Sequence, residues 1–339
     1  MATIRSFGFG RHSNEKKIHG MDASTMHQGS IKFSRKPSQE LGVVVPSATG
    51  DSRYLIDVLR HEGLYHDVYN VELFRSLKSY PTLIIILGPV KLDPPIVNRL
   101  RTHAFSGGGV MTIGFVEALE GLLGTMIRYP LFPFPIGGQL KNMVGEGYLV
   151  PRVTGEGITK AIDANWMPLH GFGCVPSMAD GCTIHAWYES EHECKDELTA
   201  ITVNHLGRGI ALGFHVDLVG TLRHMQEGIY VDKDGIPPPD GMSPVDDGIL
   251  KAEDGLVLDW TKDRRVVSET HQVPAFTIPV ADAWRRLFRS SIEFMADECN
   301  VRIQRMDYWP NGAPFIALLS HDTDGNDEKL AKILLDGIN

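Results

Sequence analysis

Residues 82–88 read TLIIILG. Side chains alternate across an extended backbone, so a strand of this composition is apolar on both faces. Such a strand belongs in the middle of a parallel sheet, which must carry helices on both sides. This one run therefore predicts a layered α/β fold.

The neighbouring sequence has the same character. LGVVVP (41–46) is a short β-branched run ended by Pro46 and reads as a buried strand. In the segment after it, Asp51 or Ser52 can cap a helix whose Tyr54, Leu55, Val58 and Leu59 share one face, and Gly63 ends it. HDVYNV (66–71) reads as a second strand. Pro94 and Pro95 suit the first turn of a helix that runs to Gly107, Gly108 and Gly109. VMTIGF (110–115) is then a strand and VEALEGLLG (116–124) a short helix. CTIHAWY (182–188) and LTAITVNHLG (198–207) alternate like antiparallel strands. RGIALGFHV (208–216) adds one more strand, and DLVGTLRHMQEG (217–228) a helix. Strand–helix alternation at this spacing predicts a doubly wound, mostly parallel, flavodoxin-like α/β sheet over residues 41–228.

The chain has 339 residues, a length that suggests two domains or one and a half. Lys plus Arg is 33 and Asp plus Glu is 42, a net charge of −9. An acidic surface repels phosphate backbones, so nucleic acid is an unsuitable partner. The longest strongly apolar run is Leu83–Leu87, far short of a membrane span. Residues 1–40 show no sustained period and read as a poorly ordered or partly packed arm; their basic start lacks the apolar stretch of a secretory signal. Cys174, Cys182, Cys194 and Cys299 form no CxxC pair, which suits neither a disulfide framework nor a structural zinc site. A reduced, cytoplasmic protein is expected.

Residues 229–275 are acidic and rich in Pro and Gly and read as an extended connection. Residues 281–300 form an amphipathic helix with Trp284, Leu287, Phe288, Ile292 and Met295 on one stripe. APFIALLS (313–320) reads as a strand that runs directly into HDTDGN.

That junction carries the densest chemistry. His321, Asp322 and Asp324 sit at the C-terminal end of an apolar strand, where β/α barrels gather catalytic groups. In Asp-x-Asp one carboxylate can hold a cation while the other acts as a base. The same residues also read as a polar turn whose Asp caps the next helix. LLSHDTDGN resembles the first motif of NodB-type polysaccharide deacetylases, in its His-Asp-x-Asp variant. The resemblance implies that Asp322 is a general base and Asp324 a ligand to a divalent metal, usually zinc. His321 would support them, and the substrate would be an acetylated carbohydrate. Residues 276–339 would then be the first strand and helices of a truncated β/α barrel. That family completes its metal site with two histidines four apart on a helix. None of the 14 histidines has that spacing, and 15 residues follow Asp324. The expectation is a domain opening that is inactive by itself.

The stretch 41–228 resembles class I glutamine amidotransferase-like domains, particularly ThuA-like and β-galactosidase-trimerisation-like members. SGGGVMTIG (106–114), EALEGLLG (117–124) and NHLGRGIALGFHVDLVGTL (204–222) carry the likeness. Active amidotransferases place a Cys nucleophile on a sharp strand-to-helix elbow. Here the elbow falls near Gly114 and Phe115, and no cysteine lies within 50 residues. A non-catalytic role remains, as a ligand-binding module or one that forms homo-oligomers. His215 and Asp217, near the end of a strand, could line a residual pocket; core packing and helix capping explain them equally well.

Overall fold

The computed structural model describes residues 31–127, 147–152, 157–161, 167–169, 174–190, 198–227, 264–267, 270, 274–277 and 279–307. Its centre is a nine-stranded sheet. In chain order the strands are β1 (Leu41–Val45), β2 (Asp67–Asn70), β3 (Leu83–Leu87), β4 (Gly109–Ile113), β5 (Gly147–Pro151), β6 (Met167–Pro168), β7 (Thr183–Ser190), β8 (Leu198–Leu206) and β9 (Gly209–Phe214). Their spatial order is β2-β1-β3-β4-β9-β8-β7-β5-β6. The first five are mutually parallel, in the doubly wound order that the alternation predicts. From β9 onward the pairing is antiparallel.

The helices are α1 (Asp51–His61), α2 (Val71–Ser76), α3 (Pro94–Phe105), α4 (Glu120–Leu123), α5 (Leu218–Glu227) and α6 (Val280–Glu298). Val44, Ile84, Ile86 and Val110 on one sheet face share a core with Phe74 of α2, Ile96 and Leu100 of α3, and Leu122 of α4. β1, β3 and β4 are buried along their whole length, as strands covered on both faces must be. Asp51 and Ser52 do not cap α1. The helix already includes both, and its N-cap is Gly50 at φ +59°, with no side-chain cap. The helix in 116–124 is shorter than its sequence suggests. Val116–Glu117 instead pairs with Val90–Lys91, and only Glu120–Leu123 is helical, closed by Gly124 in the left-handed conformation.

The amphipathic stripe of α6 finds its partner on this sheet. Trp284, Leu287, Phe288, Ile292 and Met295 are all fully buried. The Trp284 indole donates to the Pro168 carbonyl at 3.0 Å, and Phe288 meets Phe214 of β9 edge-on. A Cβ at Gly109 on β4 would lie 2.9 Å from Leu83, 3.2 Å from the Cys299 sulfur and 3.5 Å from that of Met295. α6 packs on α5, and α5 packs on α1. The sequence pattern assigned this helix to a separate module beginning at residue 276. It is part of the α/β layer, because its apolar stripe is what covers the sheet. The following segment is tied down too: Tyr65 donates to the Gln304 carbonyl at 3.1 Å and Met306 to the Gly63 carbonyl at 2.8 Å.

The outer edge of β2 is covered by the segment before β1. Ser34 donates from its backbone to the Val68 carbonyl at 2.7 Å. Asp67 accepts from the Ser34 hydroxyl, from the Ser38 amide and hydroxyl, and from the Gln39 amide. Burial alone would raise the Asp67 carboxyl, but these hydrogen bonds outweigh it and hold it below its ordinary value. Within the acidic connection, Arg264–Val266 pairs with Pro274–Phe276; the rest of it lies outside the described residues. Among the described residues, no helix is long and apolar enough to cross a membrane.

Candidate functional site

In a doubly wound sheet, ligands bind beyond the C-terminal ends of the parallel strands. Here that rim is formed by the turns after β1, β3, β4 and β9. The turn after β4 is sharp, as its sequence implies: Gly114 has φ +73° and donates to the Phe214 carbonyl at 2.8 Å. The position that a nucleophile would occupy is filled by Phe115, which is 8% exposed. The rim is also closed by backbone. A Cβ on Gly88 would sit 2.1 Å from the Phe115 carbonyl oxygen, so the turns after β3 and β4 touch. Beyond them the chains continue as the Val90–Lys91 and Val116–Glu117 ladder, reinforced by a Lys91–Glu117 ion pair at 2.8 Å. Among the described residues, the elbow presents Phe115, with the turn at Gly88 packed against it.

His215 is 3% exposed. Its amide donates to the Ala200 carbonyl at 2.8 Å and its carbonyl accepts from Val175 at 2.6 Å. Its Nε2 lies 2.8 Å from the Thr202 hydroxyl. Burial depresses its pKa to about 4, so the ring is neutral near pH 7. Asp217 works differently: its carboxylate accepts from the Gly220 amide at 2.8 Å, capping α5. The two residues brought together by sequence reasoning thus serve packing and capping, respectively.

Among the described residues, the cysteines do not supply the missing thiol. Cys174 is buried and donates to the Val175 carbonyl at 3.2 Å. Burial raises the Cys182 thiol, and burial followed by the Glu298 charge raises Cys299 to about 11. A nucleophilic thiol needs the opposite shift. Cys182 also hydrogen-bonds the Thr202 side chain, so Cys182, Thr202 and His215 form one polar row against the sheet. The sequence signal for that row is Gly213, a glycine inside an apolar strand. A Cβ there would lie 2.7 Å from His215 Nε2. Cys194 lies outside the described residues.

His321, Asp322 and Asp324 also lie outside the described residues. Among the described residues, no three His, Cys, Asp or Glu side chains converge on a cation position.

No protein-family model matches the sequence. No curated protein matches it either. Solved structures with a similar course of chain include a β-galactosidase from Bacillus circulans sp. alkalophilus, at 14% identity and a TM-score of 0.38 over 54% of this chain. The match spans 30% of that enzyme's own length. A cytoplasmic protein of Salmonella typhimurium LT2 is similar at 13% identity and a TM-score of 0.39, over 55% of this chain and 92% of that one. A Thermoplasma acidophilum protein described as a GMP synthase component is similar at 10% identity and a TM-score of 0.40, over 76% of this chain and 94% of its own.

Proposed function

We propose that this chain serves carbohydrate deacetylation, with its α/β domain as a non-catalytic support. The observation behind the second half is the elbow after β4, where Phe115 stands at the nucleophile position and the Gly88 backbone closes the approach. The first half rests on the resemblance of LLSHDTDGN to the deacetylase motif. On that reading Asp322 takes a proton from the attacking water and Asp324 holds a divalent cation, with His321 beside them. A bound cation would polarise the acetyl carbonyl and acidify the water.

The test joins these 339 residues to a complete second barrel domain that supplies the paired histidines, and the joined protein is titrated with zinc and assayed for acetate release from N- and O-acetylated oligosaccharides; the 339 residues alone are expected to release none. Zinc binding lost in Asp324→Ala is the expected result. Acetate release should fall at least about 100-fold in Asp322→Asn, with zinc still bound. A protein that neither binds zinc nor releases acetate overturns this reading. Light scattering would then establish whether the α/β domain is an oligomerisation module.

A further inference from the structure

Positive charge lines a groove at the opposite end of the sheet from the closed rim. This groove of about 430 Å³ opens between the loop before β3 and the outer side of α3. Lys78 stands on the loop side, and Asn98, Arg99 and Thr102 on the helix side. None of its lining residues is acidic. In a chain of net charge −9, this is a local reversal of sign.

The groove is built on a fixed aromatic stack. Tyr80 lies flat on Phe74 with ring centroids 4.4 Å apart, and the Arg99 guanidinium sits 4.3 Å from the Tyr80 ring centroid. Arg99 donates to the Arg75 carbonyl at 3.2 Å and the Leu77 carbonyl at 2.6 Å. A guanidinium carries five N–H donors, so three remain for another acceptor. Neither Arg99 nor Lys78 forms an ion pair among the described residues. The Tyr80 hydroxyl is buried and has no hydrogen-bond partner. His103 binds the Thr82 carbonyl through Nε2 at 3.0 Å, and burial keeps its ring neutral, so Nδ1 is an acceptor. Two cations, an amide, a hydroxyl and a neutral imidazole acceptor suit a ligand with one anionic group and several hydroxyls.

We infer that the Lys78–Arg99 groove binds a small polyhydroxylated anion, a sugar phosphate or a sugar acid. Arg99 and Lys78 receive the anionic group, while Asn98, Thr102 and His103 take the hydroxyls. The planar fork of Arg99, held by Tyr80 and two carbonyls, is already in place to receive two oxygens. This inference is independent of the deacetylase reading, since the groove shares no residue with HDTDGN or with the elbow.

The experiment is calorimetric titration of the full-length protein with glucose 6-phosphate, glucuronate, inorganic phosphate and glucose. Saturable binding of glucose 6-phosphate or glucuronate is expected, at least tenfold tighter than glucose. Whichever of the two binds more tightly identifies the anionic group. Lys78→Glu, at an exposed position, should weaken that binding at least tenfold with the apo melting temperature unchanged. Asn98→Leu should weaken it while leaving inorganic phosphate unaffected. The inference is overturned if neither sugar anion binds at 10-millimolar order. It is also overturned if glucose binds equally well, or if Lys78→Glu leaves the affinity unchanged.

Discussion

Arg285 closes on Glu62 with Nε at 2.8 Å and Nη2 at 2.6 Å, joining α6 to the end of α1 across 223 residues of sequence. The Glu62 side chain is 4% exposed, and Arg289 approaches its other oxygen at 3.6 Å. Taking one partner from a buried pair leaves the other charge without solvent or counterion. Arg285→Ala should therefore cost about 2–3 kcal/mol, less than the full value for a broken buried pair because Arg289 remains. Replacing Glu62 and Arg285 together by apolar residues of similar volume should cost less than Arg285→Ala alone. Urea denaturation of the three proteins measures both.

The packing of α6 makes a boundary prediction. A fragment of residues 33–228 lacks the helix that buries Trp284, Leu287 and Phe288 against the sheet. It should aggregate or unfold without cooperativity, whereas residues 33–307 should show a single cooperative transition by circular dichroism. Within the full-length protein, Trp284→Ala should lower stability by about 3–5 kcal/mol.

His215 gives the pH dependence. Its folded pKa of about 4 lies below the ordinary 6.5. Between those values the unfolded chain takes up a proton that the folded chain refuses, so stability rises with pH across that window. The loss on acidification from pH 6.5 to 4 is about 3 kcal/mol from this residue. His66, His103 and His185 are also lowered by burial and add in the same direction. His215→Gln should flatten the slope of stability against pH in this window. An unchanged slope would show that the imidazole is solvated.

Asp67 is the pin for residues 34–39. Asp67→Ala removes the acceptor for four donors at once. Hydrogen exchange at the Ser38 and Gln39 amides should then accelerate at least tenfold, with the amides of β3 unaffected. Asp67→Asn retains one acceptor oxygen and should give an intermediate rate.

The parallel half of the sheet was legible because its strands are buried on both faces: LGVVV and LIIIL have no polar residue to mislead. The helical stripe from Trp284 to Met295 was equally legible. Its partner was not, since periodicity shows that a face is buried without showing what buries it. β5 and β6 went unread because their residues follow no clear alternation. The cap at Gly50 was missed because Asp51 and Ser52 are good capping types, and only the backbone angle at Gly50 decides between them. At the candidate site, the elbow and its missing cysteine were visible in VMTIGF. The closure of the rim was not, since it depends on Gly88 and Phe115 meeting across two turns. The Cys182–Thr202–His215 row depends on strand register, which no local pattern of these residues states.

Gly109 on β4 lies against Cys299, 190 residues further along the chain. At a synthesis rate of about 5–20 residues per second, roughly 10–40 seconds separate the emergence of β4 from that of its cover. Throughout that interval one side of the parallel half lacks α6. Contacts so distant in sequence also slow folding from the denatured state. A ribosome pause or early release before residue 298 would therefore leave the apolar face that Trp284 and Phe288 cover open to other chains.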